Sequence, residues 1–529
     1  MLTYFVIVPI LIAVFLYLFS SDKVMRVLAI LTQAALLFAS LNLFFLSREE
    51  TIITNIGGYL GLMGIVLRAD MLSSVFILLT SFIFLISAIY NFHEKNSRLF
   101  WFLLFIWEGC LIGLFLARDF FNAFVLMEVT TVLVTILIMY KRHNRSLNDG
   151  FTYLMINIVG IQFYLFGLGY LYMLTGLLDM EGIAFVLRGI DNSQLVLPYA
   201  LIMTSVAFKC ALLPLYSWLP KAHGTPGAPS CVSAILSGLH IKSGLYLFLR
   251  FHYVFGDMAV TEFFLIIGVI TCIVGILMAL AQTDIKLVLA YSTIAQVGLI
   301  IIGINLYDTY SQTGSLFHIV NHAIFKAALF LSAGILVHAY GTRDINKIGG
   351  VFKRMPLMSV AMIMAILGII GAPFFNGSIS KYFMMRNMPP ILNWIVTFVN
   401  LGTVMVFIKY SQIFFGSCCN KELPAESKDM CKQSVILILG VLCLGLGVFG
   451  VPITRFLFDT DVNIDTAGYL QKSGIFAISL TAGFFIYKHF IRDKQWLVRI
   501  GKVELNFRTM CAALGAFFAM VLFAGGLLY

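Results

Sequence analysis

Charge is what this chain lacks most. Asp, Glu, Lys and Arg make up 11% of its 529 residues, while hydrophobic residues reach 60%; soluble domains carry about 25% charge and about 45–50% apolar residues. A soluble fold of this length cannot hide that much apolar surface, so a water-soluble enzyme or binding module is excluded. The nine cysteines (Cys110, Cys210, Cys231, Cys272, Cys418, Cys419, Cys431, Cys443 and Cys511) form no C-x-x-C pair, which argues against an iron–sulfur or zinc site in this chain. Most lie in apolar runs and read as small hydrophobes. Residues 1–20 lack a basic n-region and an A-x-A site, so the first apolar run is expected to remain as a helix. Low-complexity tracts and flexible linkers are also missing. The excess of 35 Lys and Arg over 25 Asp and Glu would suggest nucleic acid in a soluble protein, but here the basic residues fall in short loops, where they set orientation in a membrane.

A spanning helix needs about 20 apolar residues, which allows about 16 spans. Apolar runs are expected as spans at 3–20, 24–46, 71–92, 99–117, 120–140, 150–175, 196–219, 229–250, 260–281, 285–304, 312–338, 356–386 (interrupted), 391–413, 433–453, 472–489 and 509–528. The loops after the fifth, eleventh and fifteenth runs are basic: Lys141, Arg142 and Arg145; Arg343, Lys347, Lys353 and Arg354; and Lys488, Arg492, Lys494, Arg499, Lys502 and Arg508. The loops after the sixth and fourteenth are acidic, with Asp179, Glu181 and Asp191, then Asp459, Asp461 and Asp465. The positive-inside rule therefore places odd loops in the cytoplasm and both termini outside. Residues 51–70, with Gly57–Gly58 and an apolar tail, are expected to form an outer surface hairpin.

Ionisable groups inside apolar runs cost at least about 2.5–3.5 kcal/mol each at mid-bilayer. Glu108 and Glu128 lie in the fourth and fifth runs, Lys209 in the seventh, His240 and Lys242 in the eighth, Lys381 in the twelfth and Lys409 in the thirteenth. The eleventh run places His318, His322 and Lys326 at steps of four, one stripe on a helix. A single such group can be a paired structural charge, Lys409 can snorkel to the surface, and Glu108 can be a structural hydrogen-bonding group. As a set they point to a hydrated proton path. His318 and His322 lack a third ligand or an HExxH pattern, so no metal and no cofactor is expected.

Two runs are interrupted. Pro214 follows Lys209, and Pro373 and Gly377 precede Lys381. Proline frees backbone carbonyls that need water or protein partners in lipid, and broken helices in matching places of two halves mark transport sites. The broken runs are five apart, and an odd-numbered unit inserts in the opposite orientation. The chain is thus expected to be an all-α polytopic membrane protein with about 14–16 transmembrane helices, two inverted five-helix repeats and two interrupted helices. The expected divisions are 1–96 (N-terminal helices and outer hairpin), 97–255 (first repeat), 256–416 (second repeat) and 417–529 (C-terminal helices with a short basic cytoplasmic connector).

The runs DFFNAFVLME (119–128), FKCALLPLYSWLPKAH (208–223), APSCVSAILSGLHIKSGLYLFLR (228–250), DIKLVLAYSTIAQVGLIIIG (284–303), HIVNHAIFKAALFLSAG (318–334) and GAPFFNGSISK (371–381) resemble the antiporter-like subunits of the respiratory complex I superfamily, across roughly residues 55–415. The stretch AHGTPGAPSCVSAILSG is similar to Mrp-type antiporter and membrane-bound hydrogenase versions. The resemblance implies a Glu128–Lys209 pair, Lys242 passing protons toward the centre, His318, His322 and Lys326 as a central relay, and Lys381 opening to the other side. It implies a multi-pass subunit of the prokaryotic cell membrane, moving H⁺ with or without exchange for Na⁺ beside other membrane subunits, with no redox centre of its own. The alternative is a proton-pumping subunit of a complex I-type NADH/ferredoxin:quinone oxidoreductase. Residues 489–508 span about 30 Å if helical, too short for the long lateral helix of distal complex I subunits.

Overall fold

The computed structural model describes residues 1–19, 22–58, 64–416, 429–492 and 494–527; Cys418 and Cys419 lie outside them. The chain divides into two compact units, Met1–Val232 with Leu239–Phe263 and Asn506–Tyr529, and Ser233–Gly238 with Phe264–Leu505. Among the described residues, 13 helices are long and apolar enough to cross a membrane, with shorter apolar helices at Leu2–Leu18 and Pro356–Ile370. Every run expected from the sequence is helical over most of its length.

The chain opens with α1 (Leu2–Phe19), α2 (Asp22–Glu49), α3 (Met71–Tyr90), α4 (Arg98–Leu116), α5 (Phe120–Ile138) and α6 (Asn144–Thr175). The short α7 (Met180–Leu187) and α8 (Asn192–Lys209) follow, then the break, α9 (Trp218–Gly224), α10 (Ser230–Ile235) and α11 (Ile241–Phe255). A π-helical turn, Leu236–His240, joins α10 to α11. The second unit is built on α12 (Thr261–Ala281), α13 (Ile285–Ile304), α14 (Thr309–Tyr340), α15 (Val351–Arg354), α16 (Pro356–Ile370), α17 (Asn376–Met385) and α18 (Pro390–Ser411). It continues through α19 (Met430–Val448), α20 (Gly450–Phe458), α21 (Thr466–Ile486) and α22 (Gln495–Gly501). The last helix, α23 (Phe507–Gly526), returns to the first unit, where it packs on α6 and α8. Only α22 forms among the described residues between the π-helical end of α21 and α23, so no long lateral helix is present there.

The hairpin expected at residues 51–70 is observed as Ile52–Asn55 paired antiparallel with Val66–Ala69. It is held by ion pairs: Arg250 donates to Asp70 at 2.6 Å, Arg118 pairs with Asp179 at 2.7 Å and with Glu181 at 2.9 Å, and Arg68 pairs with Glu181. Burial pushes the Asp70 carboxyl up, but Arg250, the Ser73 N–H and Arg68 outweigh it and hold the group at about 2.

Aspartates start many of these helices because a carboxylate satisfies orphan N–H groups and complements the helix dipole. Asp119, Asp179, Asp191, Asp284, Asp308 and Asp465 are all N-caps accepting backbone N–H bonds. Thus the acidic loops seen in the sequence are partly a record of helix starts. Asp119, Asp179 and Asp284 are built into two matching latches. In the first unit the Phe120 N–H donates to Leu178 O at 3.0 Å and the Met180 N–H to Arg118 O at 2.9 Å. In the second, the Ile285 N–H donates to Arg343 O at 2.9 Å and the Ile345 N–H to Thr283 O at 2.8 Å. Each residue of the second latch lies 165 positions after its counterpart, 120 against 285 and 178 against 343.

Candidate functional site

In the first unit α8 stops at Lys209. Cys210 closes the helix, Ala211 takes φ 53°, and Pro214 has no N–H to give. The carbonyls this frees are answered by protein: the Leu212 N–H donates to Ala207 O at 3.1 Å and the Trp218 indole to Phe208 O at 2.9 Å. Lys209 is buried at the broken end, and its Nζ donates to Thr131 Oγ1 at 2.7 Å and to Asn157 Oδ1 at 3.0 Å. Thr131 is on α5 and Asn157 on α6. Glu128, one turn before Thr131, is half-buried and close enough for its charge to act on Lys209. The two do not form a contact ion pair; neutral groups hold the ammonium instead.

Helix α11 comes against this break because residue 244 is glycine. A Cβ there would lie 2.9 Å from the Cys210 nitrogen. The approach brings fully buried Lys242 beside Cys210. His240, in the π-helical turn, has Nε2 3.3 Å from Tyr153 Oη, has Trp107 and Trp218 edge-on, and feels the Lys209 charge. Lys209, His240 and Lys242 are therefore gathered where α6, α8 and α11 meet. Glu108 is fully buried on α4, where Gln33 of α2 donates to its Oε2 while Oε1 has no hydrogen-bond partner among the described residues.

In the second unit, α14 carries His318, His322 and Lys326, all fully buried. Gly314 lets α14 meet α17, since a Cβ at 314 would lie 2.9 Å from Ser380 O. His318 is thereby set between Ser380 Oγ (Nδ1, 2.9 Å) and Gln296 Oε1 (Nε2, 2.9 Å). Gln296 reaches on to Thr403 at 3.4 Å. The His318 and His322 rings are 6.5 Å apart, with Phe325 edge-on to both. One turn further, Lys326 donates to Leu289 O at 2.8 Å and to Ser292 Oγ. His318 and Lys326 thus have polar partners, with Phe325 packed between the two imidazoles and the lysine turn.

The second broken helix repeats the arrangement. α16 ends at Gly371, and α17 restarts at Asn376 after Pro373 and a left-handed Phe374. Lys381 turns back into the gap and donates to Ile369 O at 2.9 Å. Beside it lies a cavity of about 70 Å³, lined by Ser378, Lys381, Thr397, Asn400 and Lys472 among others, room for a few waters. Ser378 Oγ is 2.9 Å from Tyr469 Oη, and Lys472 donates to Asn393 at 3.0 Å. Lys409 does something different. Buried at the end of α18, it donates to Leu280 O at 2.6 Å and to Gln282 O, closing the C-terminus of α12. That is a helix-capping role.

A reading of the sequence guided by charge passes over Thr131, Tyr153, Asn157, Ser292 and Gln296, which hold the ionisable groups; Ser380, expected to hold water beside Lys381, meets His318 instead. The available signal is an uncharged polar residue within an apolar run. Lys472 escapes the same reading because it sits at the first position of the fifteenth run, where it looks like a flank.

Comparison with known proteins gives a consistent picture. The family described as NADH:quinone oxidoreductase/Mrp antiporter, TM, matches residues 117–408. A Na⁺/H⁺ antiporter subunit of Alkalihalophilus pseudofirmus is 28% identical over 483 residues, covering 88% of this chain and 98% of that one. Among solved structures, a chain of the Mrp complex from Dietzia sp. DQ12-45-1b superposes with TM-score 0.81 at 22% identity, covering 90% of this chain and 99% of that one. A chain of the membrane-bound sulfane sulfur reductase, an archaeal respiratory membrane complex, superposes with TM-score 0.80 at 24% identity, covering 91% and 99%.

Proposed function

Because the chain belongs to the NADH:quinone oxidoreductase/Mrp antiporter membrane family, we propose that it is an ion-translocating subunit of a multi-subunit Mrp-like complex in the prokaryotic cell membrane, moving protons in exchange for Na⁺. One observation carries the mechanism. The lysine at each broken helix is held by neutral acceptors, Lys209 by Thr131 and Asn157 and Lys381 by the Ile369 carbonyl. A lysine locked to a carboxylate keeps its proton, because losing it would strand a buried anion. A lysine on neutral acceptors can release and regain a proton as nearby charge and hydration change.

In the first unit, approach of Glu128 favours the charged form of Lys209, and its withdrawal favours release toward Lys242. In the second, His318 exchanges its proton on the Ser380 side while Gln296 orients the ring. Steps of four residues rise about 6 Å, so water bridges the stripe to Lys326. Lys381 stores the proton at the outlet, and the cavity with Ser378 and Lys472 leads it away. The two latches support an inverted repeat: by the loop alternation, the first lies on the outer side and the second on the cytoplasmic side. On this reading, 97–255 and 256–416 are the two repeats, and the outlet at Lys381 faces outward.

The test is ion flux in proteoliposomes holding the purified complex. An imposed Na⁺ gradient should drive proton movement with the wild-type chain and should not with Lys209→Ala or Lys381→Ala. Coupled flux at wild-type rate in both variants would overturn the reading.

A further inference from the structure

Helix α21 is exposed along most of its length although it packs on α18. Its only buried residue is Gly483, which faces Val404 of α18. Below that contact, α16, α18 and α21 leave a groove of about 550 Å³, within the range of ligand pockets (about 300–1,000 Å³). Its walls are apolar through most of their length, with Ile366, Leu367, Phe407 and Phe484 facing in. Its rim is different. Lys488 and Arg492 border it where α21 passes through a π-helical turn, Tyr487–Ile491, and Gln412 and Tyr487 share a 3.3 Å hydrogen bond at the same end. The groove therefore has hydrocarbon character toward mid-membrane and two positive charges at one end. By the loop alternation, that end is cytoplasmic.

We propose that this groove holds one anionic phospholipid of the cytoplasmic leaflet, its acyl chains against α16 and α18 and its phosphate between Lys488 and Arg492. A basic pocket between membrane helices on the cytoplasmic side recognises an anionic headgroup by charge, and a long apolar wall below it recognises chains. A partner helix is a poorer occupant, because its apolar face would seal the same walls while leaving both cations facing a dry contact. A free anion would use the rim alone. The lipid uses both ends, and it braces α21, the helix that supplies Lys472 to the Lys381 cavity. The site is independent of whether the chain translocates ions.

The experiment uses the protein extracted in mild detergent with its native partner subunits and washed extensively. Bound lipid is then identified by native mass spectrometry, and rebinding is measured from nanodiscs of phosphatidylglycerol or phosphatidylcholine. Wild type should retain phosphatidylglycerol in preference to phosphatidylcholine. The charge-reversed variant K488E/R492E should lower phosphatidylglycerol retention about tenfold or more and erase the preference. Leu480→Trp, which fills the groove wall without touching the rim, should lower retention of both lipids. The milder Lys488→Gln guards against loss of folding and should give an intermediate preference. Equal retention in all variants, retention insensitive to Leu480→Trp, or cross-linking of residue 480 to a partner subunit in place of lipid would overturn the proposal.

Discussion

His318 and Ser380 meet at 2.9 Å across the contact of α14 with α17, which joins the middle of an unbroken helix to the restart of a broken one. The imidazole is held on its other side by Gln296, so both ring nitrogens face polar partners. Ser380→Ala removes one exchange partner without adding bulk. It is expected to slow coupled proton flux about tenfold or more, in line with the 10²–10⁴-fold worth of positioned acid–base groups, while His318→Ala stops it. Flux through Ser380→Ala at the wild-type rate would show that the serine only braces the ring.

Lys381 separates a proton store from a fixed charge. Lys381→Ala is expected to stop net translocation with the complex assembled. Lys381→Arg should fail too, because a guanidinium does not give up its proton. Pumping by purified complexes in proteoliposomes is the readout, and an active Arg variant would reduce Lys381 to an electrostatic role.

At the other break, Glu128→Gln should abolish coupling without disturbing Lys209, whose ammonium stays on Thr131 and Asn157. Thr131→Val should weaken the neutral cradle and shift the pH dependence of flux while leaving assembly intact. Measuring flux against pH in both variants distinguishes the carboxylate as modulator from the carboxylate as the lysine's anchor.

Lys409 offers the control. Its Nζ closes the C-terminus of α12, so Lys409→Met is expected to cost about 1–3 kcal/mol of stability and to lower the melting temperature. Flux per assembled complex should hardly change. Loss of flux without loss of stability would move Lys409 into the path.

The ion network beside the β-hairpin predicts an acid transition. The Asp70 carboxyl is held at about 2 against an ordinary 3.8. A depressed carboxylate stabilises the fold above its ordinary value, and that stabilisation, about 2 kcal/mol, is lost as pH falls from about 4 toward 2. Melting of the detergent-solubilised protein at neutral pH and in acid at about pH 2 should show the loss. Arg250→Met, which removes the main partner, should be less stable at neutral pH and show a smaller drop.

Much of the fold was legible because bilayer thickness dictates run length and because a buried charge is conspicuous in an apolar run. The breaks at Pro214 and Pro373 could be read for a similar reason, since proline announces itself. What could not be read was which side chain holds which. Lys209 and Glu128 are both charged and look like partners on paper, yet the hydroxyl of Thr131 and the amide of Asn157 take the ammonium, through packing of α5, α6 and α8 that no local pattern encodes. Lys409 looks like Lys381 in sequence and differs because α12 happens to end beneath it. Short elements such as α7 escape detection because an eight-residue helix leaves too little periodicity.

The paired latches carry a consequence for how such a chain can change length. In both units the bridged aspartates are 60 positions apart, 119 to 179 and 284 to 344. Their backbone bonds close only when the intervening helical hairpin returns to the same level in the same rotational phase. One inserted residue turns a helix by about 100° and lifts it about 1.5 Å, enough to break both bonds of a latch and carry Arg118 or Arg343 off its aspartate. Insertions and deletions within the two sixty-residue hairpins are therefore costly, so spacing, more than residue identity, is the property the latches require.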